Sequence, residues 1–215
     1  MREKEPSTDL YLCRHGETDF PLDRIYCDER EDPPLNENGR RQAEALAQGL
    51  AGEGLAAVYA SPVARTRQTA EAVAAAAGCE VILVPELVER RFGVWEGLTF
   101  DQIRAGDPDG FRAWKADQAG YAPAGGETAH QLAERVCPAI EAILARHPGE
   151  RIAVVSHVGP LRVYLAQTLG LPLERYRWIT LDYASATRLD VDRGQRNLRY
   201  LNRVFYGRGG IGLNF

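Results

Sequence analysis

A chain of 215 residues with 45% hydrophobic and 26% charged residues is long enough for one α/β domain with a sizeable core. Its net charge of −4 argues against a nucleic-acid binder, so an anionic ligand has to be attracted by a local cluster of arginines. The opening MREKEPSTD lacks the apolar stretch of a secretory signal, and no apolar run approaches a membrane span, so no membrane association and a cytoplasmic location are expected.

The stretch 8–18, TDLYLCRHGET, comes first. Leu10, Leu12 and Cys13 read as the end of a buried strand, and Arg14, His15 and Gly16 fall where that strand stops and a turn begins. Open α/β sheets bind ligands at that position. Arg14 offers a rigid fork of donors suited to phosphate oxygens. His15 offers a neutral ring nitrogen at physiological pH. Gly16 lets the backbone turn sharply and approach a ligand closely. Residues 19–34, rich in proline and charge, read as a loop over the site. Asn36 is the expected N-cap of a helix through ENGRRQAEALAQGLAG, with Ala43, Leu46, Ala47 and Leu50 as its apolar stripe. A short strand at 56–60 follows. Ser61 and Pro62 open the next helix, Ser61 as cap and Pro62 at the first position, and Gly78 ends it. Residues 80–84 read as another strand.

Residues 97–127 are less regular, with two short helices near 99–105 and 108–117. Phe100, Phe111, Trp114 and Tyr121 are read as the core of a small cap beside the site. Residues 128–146 form a long amphipathic helix with Leu132, Val136, Ile140, Ile143 and Leu144 inward. RIAVVS at 151–156 is a continuous apolar strand, as expected at the centre of a sheet covered on both faces. A helix at 159–169 ends at Gly170 and Pro172. Strands at 186–191 and 198–204 are joined through Arg193 and Gly194. An edge strand there is suited to pairing into a homodimer, and the glycine-rich tail, 206–215, is expected to be flexible. Cys13, Cys27, Cys79 and Cys137 show no CxxC pair, which reads as buried reduced thiols. His130 and His147 have no ligand spacing to His15 or His157, so neither a metal nor another cofactor is expected.

Four motifs occur in order: RHGET from Arg14, SPVARTRQTA from Ser61, LVERRFGVWEG from Leu87 and SHVGPLR from Ser156. Together they resemble the histidine phosphatase superfamily, with the phosphoglycerate-mutase-like fold, over nearly the whole chain. The resemblance implies a three-layer α/β/α sandwich with a mostly parallel central sheet and a small helical cap. It is expected to form a single domain, 1–215, with the cap inserted at about 97–127.

Phosphoryl transfer without a metal needs a cationic clamp on the phosphate oxygens. Arg14 and Arg65 suit it, and the amides of the helix opened by Ser61 and Pro62 add to the field at Arg65. Arg67 faces elsewhere on that helix. The resemblance implies that His15 is the nucleophile, forming a phosphohistidine. The attacking nitrogen has to be neutral, with the other N–H held by a backbone carbonyl. His157 is implied as the second pocket histidine, its cation balancing charge on the transferring oxygens. Glu89 is implied as general acid and then base, with a raised pKa. Of the competing carboxylates, Glu17 is expected to order the arginine cluster and Glu127 to open a helix. Thr18, Arg24 and Val158 complete the expected substrate contacts.

Three departures from the family bear on specificity. Pro21 stands where Asn is common, the loop from Arg24 to Pro34 is about two residues longer and lacks the usual Gly, and Val158 separates His157 from Gly159. The expected function is a metal-independent phosphatase acting on a small phosphomonoester. The alternatives are a cofactor-dependent phosphoglycerate mutase and a non-catalytic phospholigand-binding protein. Sugar phosphates, phosphoglycerates, phosphoserine and a ribazole phosphate all stay open as substrates.

Overall fold

Strand β1 (Thr8–Arg14) is buried along its whole length, because apolar residues face both sides of it. The computed structural model describes residues 7–25, 31–192 and 194–207. β1 pairs in parallel with β4 (Arg151–Ser156) and antiparallel with β5 (Ala186–Asp192). β2 (Ala57–Ala60) lies parallel to β4 and to β3 (Val81–Leu83), and β6 (Gln195–Arg203) closes the other edge against β5. The order is β3-β2-β4-β1-β5-β6, so five of the six strands run the same way.

Both faces of the sheet are covered, which gives the three layers. Leu10, Leu12, Ile152 and Val154 pack against α5 (Ala129–Leu144) and α6 (Val158–Thr168). Tyr11, Cys13, Ala153 and Val155 face α1 (Glu37–Leu50) and α2 (Ala64–Ala77). The α1 stripe is the expected one: Ala43, Leu46, Ala47 and Leu50 are all buried, each Leu worth about 1.5–3 kcal/mol. Asn36 caps α1 by accepting from Gly39 N at 2.7 Å. Between the layers the turn after β1 is tight. A Cβ on Gly16 would lie 2.5 Å from Gly39 O, so the backbones meet where only glycine fits.

The cap is α3 (Phe100–Gly106) and α4 (Pro108–Ala116), with Thr99 capping the first. Its own small core is Ile25, Trp95, Ile103 and Trp114, against which Phe100, Phe111 and Tyr121 pack.

Several expectations are corrected. Helix α2 starts at Ala64, not at Ser61, because Ser61 N is taken by Val155 O at the end of β4. The capping acceptor is Asp32, whose two carboxylate oxygens lie 2.8 and 3.0 Å from Ala64 N. β6 begins three residues earlier than the pattern suggests. Cys79 is half-buried rather than buried, whereas burial pushes the Cys13 thiol up to about 12 and Cys137 up to about 11. Tyr206 is docked, its hydroxyl donating to Tyr183 O at 2.6 Å. Cys27, Arg193 and residues 208–215 lie outside the described residues. Among the described residues no helix is long and apolar enough to cross a membrane.

Candidate active site

Three neighbouring parallel strands end at one edge. Ala60 pairs with Val155 and Ser156 with Arg14, so Ser61, His157 and His15 leave the sheet side by side. His15 N donates to Ser156 O at 3.0 Å, which locks the two histidine-bearing turns together. The imidazole centroids lie 5.2 Å apart, crossed at 62°. Arg65, in the first turn of α2 and fully buried, donates from Nη2 to His157 Nδ1 at 3.0 Å. His157 Nε2 lies 3.0 Å from Ser61 Oγ.

These contacts assign the tautomers. A carbonyl only accepts, and His15 Nδ1 lies 2.7 Å from Gly16 O, so Nδ1 holds the proton and Nε2 the lone pair. A guanidinium only donates, so His157 Nδ1 is bare and Nε2–H points at Ser61 Oγ. Burial first, then the Arg65 and Arg14 charges, holds the His15 pKa well below the usual imidazole range. Burial, Arg65 and His15 do the same to His157. Both rings are neutral at pH 7. Burial and the surrounding guanidiniums thus disfavour the cation expected at His157.

Arg14 donates from Nη1 to Leu181 O at 2.7 Å, and its guanidinium carbon lies 3.9 Å above the Tyr183 ring. The same ring is 5.7 Å from His15. Ala184 follows with φ +46°, a left-handed conformation costing a side-chain-bearing residue about 1–2 kcal/mol, and its N–H donates to His15 O at 3.0 Å. Leu181 and Tyr183 escape sequence reasoning. LDYASA carries no motif, and its role follows only from β5 lying beside β1.

Glu89 follows a short 3-10 turn, Pro85–Leu87, tied to the sheet edge by Ser156 Oγ donating to Leu87 O at 2.7 Å. Its carboxylate accepts from Arg90 N at 2.7 Å and from Gly159 N at 3.1 Å. Gly159 is in the first turn of α6, so the helix amides and Glu89 face each other. The other carboxylates have different work. Glu127 accepts from Arg135 Nη2 at 2.6 Å and from Arg91 N at 2.9 Å. Burial pushes its carboxyl up, but Arg135 and the Arg91 amide more than offset this and hold it below the usual range. Arg135 also donates to Glu89 O at 2.9 Å, so this pair clasps the segment carrying Glu89. Glu17 corrects an expectation. It accepts from Asn36 and Asn38 at the start of α1, not from the arginine cluster. Arg67 pairs with Glu71 on the exposed face of α2, at 3.6 Å.

A cavity of about 150 Å³ opens from Glu89 toward the cap. Arg24 and Val158 line it, as do Phe100 and Trp114, so two of the aromatics serve both cap core and cavity wall. Thr18 is not in that lining. It is buried, bridges to Leu35, and accepts from Phe20 N at 3.3 Å. Arg90 is a hub that sequence reasoning passed over. It donates to Glu127 O, Gln118 O, Tyr121 O and the Tyr176 hydroxyl, all at 2.8–3.0 Å, and so fastens the cap beside Glu89.

A mostly parallel sheet covered on both faces, capped on one side and carrying paired histidines at its carboxyl edge, defines the phosphoglycerate-mutase-like fold. The same fold is found in the solved structure of the alpha-ribazole phosphatase from Shigella flexneri. That match has a TM-score of 0.82 and 30% identity, covering 91% of this chain and 96% of that one. Residues 10–204 match the family model of the histidine phosphatase superfamily (branch 1), and the chain belongs to that superfamily. It is 36% identical to a bifunctional protein of Mycobacterium tuberculosis over 93% of this chain but only 55% of that protein, so it spans about half of that relative's length. Phosphoserine phosphatase 1 of Hydrogenobacter thermophilus is 32% identical over 90% of this chain and 91% of its own. A probable phosphoglycerate mutase of Cronobacter sakazakii is 34% identical over 86% and 85%.

Proposed function

We propose that this chain, as a single domain, is a phosphatase that hydrolyses small phosphomonoesters through a phosphohistidine on His15, without a metal. The observation that carries the reading is the His15 tautomer. Gly16 O fixes the proton on Nδ1 and leaves Nε2 as a nucleophile whose basicity burial, and then the two arginines, keep low.

The steps balance on this chain's own groups. Arg14 and Arg65 hold the non-bridging oxygens of the phosphate. The Nε2 lone pair attacks phosphorus and the bond to the ester oxygen breaks. The proton for the departing alkoxide comes from Glu89. Two backbone amides hold the Glu89 carboxyl group in place. The approaching phosphate dianion disfavours a further negative charge beside it, so Glu89 enters the first step carrying the proton. In the second step Glu89 receives a proton from water, the hydroxide oxygen bonds to phosphorus, and the phosphorus–nitrogen bond breaks. The same dianion offsets the guanidinium charge around His157, so its cationic role belongs to the liganded site.

The mutase alternative returns the phosphoryl group to a phosphorylated acid instead of to water. Two of the cap's basic residues are already engaged at the surface, Arg104 with Asp101 and Arg112 with Asp109, which favours hydrolysis.

The test is release of nitrophenol from p-nitrophenyl phosphate in EDTA, with rapid quenching in alkaline detergent to trap an alkali-stable, acid-labile phosphoprotein. The expected result is an unchanged rate in EDTA and loss of both turnover and label in His15→Ala. Full activity in His15→Ala would end the nucleophile assignment. With 3-phosphoglycerate and trace 2,3-bisphosphoglycerate, isomer formed faster than phosphate would favour the mutase.

A further inference from the structure

Among the described residues four arginines border the cavity beside Glu89, namely Arg24, Arg90, Arg162 and Arg177, and Glu89 is its one carboxylate. In a chain of net charge −4 this is a local reversal of sign. Arg90 directs its guanidinium at three carbonyls and a hydroxyl. The others are differently placed. Arg162 is buried, and among the described residues its side chain makes a single hydrogen bond, from Nε to Ile179 O at 2.6 Å, and no ion pair. Burial, and then the charges of Arg177 and Arg14, pushes its pKa down to about 10, and the single Glu89 carboxylate only partly opposes them. Arg177 lies 5.5 Å from the Trp114 ring and also pairs with no carboxylate among the described residues. Neither does Arg24.

Holding the buried Arg162 cation beside Arg177 and Arg14 costs several kcal/mol unless more negative charge arrives than Glu89 alone supplies. The apolar remainder of the wall, chiefly Phe92, Phe100, Trp114 and Val158, cannot supply it. A ligand can. A space of about 150 Å³ holds roughly five groups of the size of a water molecule, at about 30 Å³ each, which is the size of a short acid. Planar guanidiniums match a carboxylate's two oxygens.

We propose that Arg162 and Arg177 receive a carboxylate carried by the alcohol portion of the substrate, with Phe100 and Trp114 packing on its carbon chain. This deepens the phosphatase reading and rests on it. Glu89, at the boundary of the cavity, protonates the leaving oxygen, so the departing alcohol is the part that lies among these arginines. Arg162 and Arg177 are then specificity residues, and the substrate carries two anionic groups, one at each end.

The experiment measures binding apart from turnover. In a His15→Ala background, calorimetry compares 3-phosphoglycerate with glycerol 3-phosphate, which differ by a carboxylate in place of a hydroxymethyl group. The expected result is at least tenfold tighter binding of the acid. Arg177→Gln, at a half-buried position, is expected to bring the ratio within threefold, and Arg162→Gln is the second variant. Equal affinities, or a preference that survives both substitutions, would overturn the proposal. Turnover of both esters by the unaltered protein is followed in parallel. Absence of phosphate release from either ester would count against the phosphatase reading while leaving the binding ratio as measured.

Discussion

A single methyl group at residue 159 tests the proton-transfer role proposed for Glu89. A Cβ on Gly159 would stand 2.2 Å from Glu89 Oε1, 3.3 Å from its carboxyl carbon and 3.4 Å from Leu132 Cδ2. Restoring an ordinary contact of about 3.5 Å pushes the carboxylate back by roughly 1.3 Å. The obstruction is the far end of a side chain, so the carboxylate yields and the backbone stays. The Gly159 amide bond at 3.1 Å is then lost, a charged hydrogen bond of about 1.5–3 kcal/mol. Misplacement by about 1 Å costs about a hundredfold in rate, or about 2.7 kcal/mol of barrier. Folding stability is expected to hold, since alanine is favoured over glycine inside a helix by about 0.5–1 kcal/mol. The assay is kcat/KM of Gly159→Ala on an alkyl phosphate and on p-nitrophenyl phosphate, beside a urea titration. We expect about a hundredfold loss on the alkyl ester and about tenfold or less on the nitrophenyl ester, whose leaving group needs little protonation. Alkyl activity within threefold of the parent, or equal losses on both esters, would refute the reasoning.

Glu127→Gln leaves Arg135 facing a neutral amide, and urea unfolding should show a loss of about 3 kcal/mol; less than 1 kcal/mol would mean the clasp contributes little. Ser61→Ala removes the acceptor of His157 Nε2–H, and kcat should fall about tenfold with the ring no longer oriented, a change of about 1.4 kcal/mol; an unchanged kcat would assign that orientation to Arg65 alone. The two buried histidines also predict a pH dependence of stability. Their folded pKa values lie below the unfolded value of 6.5, so the unfolded chain binds more protons as pH falls below 6.5. Stability is then fully present above pH 6.5 and lost below it, by up to about 1.4 kcal/mol per pH unit for each ring. Urea midpoints between pH 7 and 5 should shift less steeply in His157→Gln, and an unaltered slope would contradict the assignment.

Most of the fold was legible because periodicity and capping agree locally. RIAVVS is β4 residue for residue, and Asn36, Thr99 and Thr128 each accept from the amide three positions on. Ser61 and Pro62 misled for a physical reason, since the neighbouring strand β4 claims Ser61 N and a distant aspartate does the capping. The two histidines, two arginines and Glu89 were legible through their motifs, and the structure brings them to one sheet edge and the turns beside it. Tyr183, Arg90 and Arg162 were not. Their importance comes from partners remote in the chain, such as Tyr176 for Arg90, and no local spacing encodes that.

The Arg90 hub has a consequence for anyone wishing to exchange the cap for that of a relative. Three of its four acceptors, Gln118 O, Tyr121 O and Glu127 O, belong to the piece that would be cut out or to its seam. A chimera that transplants residues 97–127 must reproduce carbonyls at those places, whatever side chains it carries. Sequence identity in the graft matters less than backbone path, and a donor loop that misplaced those carbonyls would leave a buried cation with the Tyr176 hydroxyl as its remaining acceptor.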